Sequence, residues 1–312
     1  MGGQAINELA AGVVAGTFAI VPFHPIDTLK SRMQTRAAEY SNRPLSLFNS
    51  MVRREGLTSL YRGVASPMFG YGLINGSVFL SRGVTRDVIL AGDARPLTLA
   101  EEAAVGASAG FWSSFARAPV ERVKNVMQVR NSGGVHAPYT SSMACARALV
   151  RDLGFVKGLY TGFGSTVARE IPQYVFYFMA YDKSKELLDA NHAALGISSH
   201  FVPVISGGIA GTMCWIPPFY SIDVIKTKIQ SAPVGTYSGM ADCVLKSYKS
   251  EGLSVFYRGM GLAVARAFLV HGSIFFLYEK TKFVMDNFSL FGKKRPKAGI
   301  SLSADEGIEA EK

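Results

Sequence analysis

The chain has 312 residues, 48% of them hydrophobic and 18% charged, with a formal charge of +10. It is more apolar than an ordinary soluble domain, yet no window offers the ~20 clean apolar residues of a simple membrane helix. The charge finds no nucleic-acid motif to serve, because no zinc spacing, RNA-binding aromatic motif or basic heptad repeat occurs; nor does a Gly-rich phosphate loop, a metal-ligand cluster or a nucleophile elbow that would support an enzyme.

Six apolar stretches mark the chain, near 8–29, 64–91, 99–120, 163–189, 201–225 and 261–288. Each is interrupted by Gly, Pro or a few ionisable residues, as expected where a polar helix face lines a watery path through a membrane. Composition alone leaves open a soluble protein with large buried helices. The first stretch runs into "PFHPIDTLKSRMQ", where Asp27 and Lys30 sit at the end of an apolar segment. One charge near a bilayer centre costs roughly 2.5–3.5 kcal/mol on insertion scales, so these residues need a reason. Lys and Arg crowd the connections after the first, third and fifth stretches, which fits a positive-inside bias and anionic lipid head groups. Cys145, Cys214 and Cys243 are scattered with no CxxC, which suggests neither a disulfide framework nor a metal site. The start "MGGQAI" carries no Arg-rich transit peptide or cleavable signal, and Ile6 stands where myristoylation wants Ser or Thr. The sequons at Asn75 and Asn287 lie in apolar stretches and are read as chance matches. The polar tail over 289–312 is expected to be disordered.

The opening motif recurs. "PIDTLKSRMQ" at 25–34 returns as "PVERVKNVMQ" at 119–128 and as "SIDVIKTKIQ" at 221–230, with the acids Asp27, Glu121 and Asp223 spaced 94 and 102 apart. Each copy is followed by a second element: "EGLTSLYRG" at 55–63, "DLGFVKGLYTG" at 152–162 and "EGLSVFYRG" at 251–259. Each is preceded by a small-xxx-small stretch: "GVVAG", "GASAG" or "GGIAG". Three units of about 100 residues follow, bounded at 1–96, 97–196 and 197–288. Within each unit, acid, Lys three later and Gln four beyond share one helical face. Around a pseudo-threefold axis the acid of one copy meets the lysine of the next. The expected pairs are Asp27–Lys124, Glu121–Lys226 and Asp223–Lys30, braced by Gln34, Gln128 and Gln230. Pro25 and Pro119 are expected to bend their helices inward, and the glycine pairs to let neighbours approach.

This triplicated Pro-x-acid-x-x-Lys pattern, with its acidic-Gly and aromatic-basic-Gly elements, resembles the mitochondrial carrier family over about residues 5–288. The resemblance implies an all-α membrane protein: six tilted transmembrane helices in three pseudo-threefold repeats, each with a short matrix helix. It implies a single central substrate site, alternately opening gates and residence in the mitochondrial inner membrane, with both termini towards the intermembrane space. It also implies a monomer with cardiolipin as bound lipid near Tyr61-Arg62-Gly63 and Tyr257-Arg258-Gly259, with no cofactor, metal or nucleic-acid partner. Thr161 replaces the basic residue in the middle copy.

Other positions depart from the pattern. Ser221 replaces the third motif proline while Pro217 and Pro218 lie just before it, so a displaced kink or bulge is expected in the fifth helix. The family's cytoplasmic gate appears as Tyr181-Asp182-Lys183-Ser184-Lys185 and Tyr278-Glu279-Lys280-Thr281-Lys282. The first copy, Arg82-Gly83-Val84-Thr85-Arg86, lacks its acid, so at most two pairs form among Arg86, Asp182, Lys185, Glu279 and Lys282. A weak cytoplasmic gate follows.

Positions where the repeats disagree are candidates for reading an asymmetric substrate. Aligned on Tyr61, Tyr160 and Tyr257, the even helices place Gly70, Arg169 and Arg266 in one layer, and Tyr71, Glu170 and Ala267 in the next. Ile74, Gln173 and Val270 follow one turn on, then Asn75, Tyr174 and His271. Guanidinium groups suit a carboxylate, and Glu170 suits an ammonium, which together describe a zwitterion site. The alternative is that Arg169 and Glu170 neutralise each other. Neighbours on a helix stand ~100° apart, so only one of the two is expected to face straight into the cavity. The Arg169-Glu170 pair and "Ala265-Arg266-Ala267-Phe268" resemble the amino-acid and carnitine branch of the family. That resemblance implies a carboxylate held by Arg169 and Arg266, an amine at Glu170, and Tyr71, Ile74, Asn75 and His271 around them. Ile74 stands where the ornithine pattern has an acid, which leans the reading towards carnitine-like or neutral zwitterions. Arg117 adds to an anion site or contacts lipid, and His24 and Tyr220 are expected to pack or line the gate.

Overall fold

The computed structural model describes residues 2–35, 43–93, 95–130, 139–215, 217 and 219–270. Among them are helices α1 (Gly2–Thr35), α2 (Pro44–Glu55), α3 (Ala65–Leu90), α4 (Leu99–Arg130), α5 (Ser142–Leu153) and α6 (Phe155–Leu159). Then come α7 (Phe163–Asn191), α8 (Val202–Met213), α9 (Phe219–Ser231) and α10 (Met240–Glu251), and α11 runs over 260–270. The described residues include no strand, and the fold is all-α. The long helices form a closed circuit, with α3 beside α4, α4 beside α7, α7 beside α8 and α9, and α9 beside α1. Leu262 of α11 packs against the cluster under α1.

Repeats 1 and 2 each run as one long helix, a short amphipathic helix and a second long helix; in repeat 3 the first helix is split into α8 and α9, α10 is the short one, and α11 is described as far as 270. α2, α5 and α10 bury the same position, nine residues before a left-handed glycine: Leu47, Cys145 and Cys243 are all fully buried. Each seats on its own odd helix: Leu47 and Met51 on Leu29 and Met33, Cys145 and Leu149 on Val123, Val126 and Met127, and Cys243 on Ile225. Gly56, Gly154 and Gly252 end these helices at φ of 80, 78 and 73°, a conformation that a side chain strains. Repeats 1 and 3 add an ionic strap at this corner. Glu55 holds Arg32 and, at 2.8 Å, Arg62, while Glu251 holds Lys228 at 2.6 Å and Arg258. The middle repeat has Val126 and Leu153 at the strap positions, and they join the apolar cluster instead. Thr161, standing for the basic residue there, turns back to its own helix and donates to the Lys157 carbonyl.

α1, α4 and α7 continue through Pro22 and Pro25, Pro119 and Pro172 respectively. Where a displaced kink or bulge was expected, the fifth long helix is interrupted outright: α8 ends at Met213 and α9 begins at Phe219. Pro218 lies outside the described residues. Only the window Leu253–Val270 passes as a clean span among the described residues, by length and hydropathy. The other long helices carry most of the charges that build the site, with Arg266 contributed from this window. Glycine sets their spacing where α4 meets α7: a Cβ on Gly106 would stand 2.8 Å from Val175 Cα, and one on Gly110 2.6 Å from the Glu170 carbonyl.

Candidate functional site

α1, α4 and α9 bring the three motif copies together, and all three expected pairs form across repeats. Asp27 accepts from Lys124 at 2.6 Å, Asp223 from Lys30 at 2.7 Å, and Glu121 from Lys226. Each carboxylate also receives an arginine. Arg266 reaches Asp27, and Arg169 reaches Asp223 at 2.6 Å and Glu121 at 3.2 Å. The ring is therefore three ion pairs locked by two guanidinium groups. The sequence reading placed those arginines in the substrate layer and not on the ring carboxylates.

The glutamines behave differently from the expectation that all three brace the pairs. Gln34 alone touches a ring carboxylate, donating to Asp223 at 3.2 Å and to the Tyr220 hydroxyl at 2.9 Å. Gln128 accepts from Ser31 at 2.8 Å and donates to Thr28, while Gln230 accepts from Asn125 at 2.8 Å and donates to Thr166. The cause lies at the position three residues before each glutamine. Ser31 and Asn125 present a polar group across the interface, whereas Thr227 bonds back to the Asp223 carbonyl and leaves Gln34 to the acid. His24 and Tyr220 are buried beside this layer, His24 against the Arg62 carbonyl and Tyr220 donating to the Arg258 carbonyl at 2.6 Å.

Above the ring lies a cavity of about 540 Å³, lined among others by Tyr71, Ile74, Asn75, Arg169, Glu170 and Arg266. His271 lies outside the described residues. The expectation that only one of Arg169 and Glu170 would face inward fails. Both line the cavity, because the long guanidinium swings back and Arg169 Nε donates to Glu170 Oε1 at 2.9 Å. Arg117 also lines it, placing Nε 3.1 Å from Glu170 Oε2 and donating from Nη2 to the Tyr174 hydroxyl at 2.9 Å. Glu170 is thus held on both oxygens. Trp215 covers Lys30, whose Nζ stands 4.1 Å from the ring centroid. This contact had no signal in the sequence beyond one aromatic near the helix break.

Towards the far end, Tyr174, Tyr177, Phe178 and Tyr181 of α7 line the cavity wall. The outer charges also depart from expectation. Asp182 faces Arg82 at 3.7 Å, not Arg86 or Lys185, and Arg82 also lies 4.0 Å from Glu102 and over the Phe178 ring. Arg82 occupies the aromatic position of its motif copy, which is the signal that could have found it. Glu279 and Lys282 lie outside the described residues.

A circuit of long helices from three repeats, closed across one end by interlocked ion pairs and holding a charged cavity above them, defines a membrane solute carrier. Comparison with known proteins gives the same answer. The family model described as mitochondrial carrier protein matches residues 3–91, 95–192 and 198–289. The chain is 34% identical over 278 residues to a mitochondrial arginine transporter of Arabidopsis thaliana, covering 88% of this chain and 89% of that protein. It is 30% identical over 284 residues to the mitochondrial carnitine/acylcarnitine carrier protein of Homo sapiens, covering 88% and 92%. The chain belongs to the mitochondrial carrier family. It is a transporter, not an enzyme.

Proposed function

We propose that this carrier moves a small zwitterion, a carnitine ester or an amino acid, across the mitochondrial inner membrane by alternating access, in exchange for a second solute. The observation that carries the reading is that two of the cavity arginines, Arg266 and Arg169, rest on the ring carboxylates Asp27, Glu121 and Asp223. A substrate carboxylate offers either guanidinium a bidentate partner and competes directly with those acids. Binding substrate and loosening the ring are then one exchange of partners. The ring is stiff without substrate, since stripping one partner from a buried ion pair costs ~3–5 kcal/mol. Once Arg266 has left Asp27 and Arg169 has left Asp223, Asp27 keeps Lys124 and Asp223 keeps Lys30 with Gln34, and the three repeats can rock apart. Glu170 is the acceptor for the amine, and Tyr71, Ile74 and Asn75 shape the wall around it; His271 is the third-repeat counterpart of Asn75 in the sequence.

In this reading Asp27, Lys30, Glu121, Lys124, Asp223 and Lys226 form the matrix gate. Arg82, Arg86, Asp182 and Lys185, with Glu279 and Lys282, form the cytoplasmic one. Both termini face the intermembrane space, the chain works as a monomer, and cardiolipin is its bound lipid. The relatives named for carnitine and for arginine support a carboxylate-bearing amine as cargo. A second reading, an anionic metabolite without an amine, draws on Arg117, which occupies the Glu170 oxygen that an ammonium would need. A transport-inactive scaffold would need no breakable ring.

Uptake of labelled carnitine and amino acids by the protein in liposomes tests the reading. Arg266→Ala is expected to abolish uptake while the protein stays folded, because Asp27 keeps Lys124 at 2.6 Å. Unchanged uptake would remove Arg266 from the site.

A further inference from the structure

Among the described residues lining the central cavity, the three ring lysines, Arg117, Arg169 and Arg266 face Asp27, Glu121, Glu170 and Asp223. Six cations meet four carboxylates, an excess of two positive charges in one cavity. Arg82 lines the outer end of the same cavity as a seventh cation, and it stays outside this count because it is set against Asp182 and Glu102, which do not line the cavity. Every one of the four acids is already in contact with two or three cations, so none is left over for a cationic solute. Within a cavity of about 540 Å³ whose walls concentrate these charges, such an excess favours an anion and disfavours a cation.

We infer that the transported solute carries two carboxylates and enters with a net negative charge. The inference rests on the zwitterion reading above for the amine, but not for the acids. Each substrate group replaces a protein group of its own sign. One carboxylate takes Arg266 from Asp27, the other takes Arg117 from Glu170 Oε2, and an ammonium takes the place that Arg117 leaves on that oxygen. A neutral zwitterion leaves the excess at two, and a dibasic amino acid raises it to three. Arg117 is the discriminating residue, because its guanidinium supplies one of the two surplus charges and touches the one oxygen of Glu170 that Arg169 does not.

The test is a competition series on the wild-type protein in liposomes and by thermal shift. It uses glutarate, aspartate, glutamate, 2-aminoadipate, glutamine, lysine, carnitine and glutarylcarnitine. At least one two-carboxylate compound is expected to bind about tenfold or more tighter than glutamine and carnitine, with lysine weakest. Arg117→Gln should close that gap to about threefold or less while glutamine or carnitine still binds. Equal or better binding of glutamine, carnitine or lysine to the wild-type protein overturns the inference. So does an Arg117→Gln variant that binds its ligands yet keeps the full preference. Should Arg117→Gln fail to fold, Arg117→Lys, which keeps the charge, must retain the preference, and its loss there overturns the inference. Binding of glutarate with no amine-bearing compound bound would sustain the two-carboxylate inference and refute the zwitterion reading. Silence from the whole series would refute both.

Discussion

Arg169→Ala will stop transport and weaken the fold at once. Arg169 is buried and joins three acids, Asp223 at 2.6 Å, Glu121 at 3.2 Å and Glu170. Without it Asp223 keeps Lys30 and Gln34, Glu121 keeps Lys226 and Arg117, and the nearly inaccessible Glu170 keeps Arg117 alone. Losing one partner of a buried ionic cluster costs ~3–5 kcal/mol, enough to lower the unfolding temperature in detergent measurably. Uptake should fall by about 100-fold or more, because the substrate loses a bidentate carboxylate partner. Arg169→Lys separates the two effects: it restores a charge but not a fork, so it should recover stability more than uptake. Wild-type uptake in Arg169→Ala would show that the cavity arginine is structural only.

Asp223→Asn is expected to be nearly as severe. Its carboxylate accepts from Lys30, Arg169 and Gln34 and is 3% exposed, so the neutral amide leaves two buried cations sharing an acceptor that cannot balance them. The expected loss is again ~3–5 kcal/mol, with exchange abolished because the ring no longer closes at one of its three joints. Asp182→Asn is the matched control at the outer mouth. Its side chain is 40% exposed and 3.7 Å from Arg82, so solvent screens the pair and the loss should stay below about 1 kcal/mol. Thermal unfolding of the two variants side by side distinguishes a buried lock from a surface contact. Equal and small losses would mean that the Asp223 joint is not under load.

The architecture was legible because it is written three times. Acid, lysine and glutamine recur at the same helical spacing, and a threefold arrangement offers each acid the lysine of the next copy or of the previous one. The structure takes the next-copy set expected from the sequence, Asp27–Lys124, Glu121–Lys226 and Asp223–Lys30. What breaks the symmetry was harder to read. Arg266 and Arg169 drop onto the ring because arginine side chains are long enough to leave their own layer, and a helical-wheel argument fixes Cα positions rather than guanidinium positions. The same reach let Arg169 and Glu170 both line the cavity. Gln128 and Gln230 found partners in Ser31 and Asn125, which no motif marks. Arg82 was visible as a residue out of place, a cation where the other copies carry tyrosine, but its partners Asp182 and Glu102 both belong to the next repeat. The middle repeat's apolar corner, Val126 with Leu153 in place of Arg32 with Glu55, shows the same principle in reverse: a conserved geometry kept by swapping an ion pair for packing.

The central claim is that substrate carboxylates pull the arginines off the ring and so let the three repeats separate. Spin labels on the exposed positions Asn49 of α2, Arg147 of α5 and Lys249 of α10, introduced as cysteines two at a time, report that separation directly. Cys145, Cys214 and Cys243 are buried and should resist labelling. Adding the compound that the liposome assay shows to be transported should lengthen all three distances, and Arg266→Ala should suppress the change. Distances that stay fixed while the wild-type protein transports that compound would contradict the account.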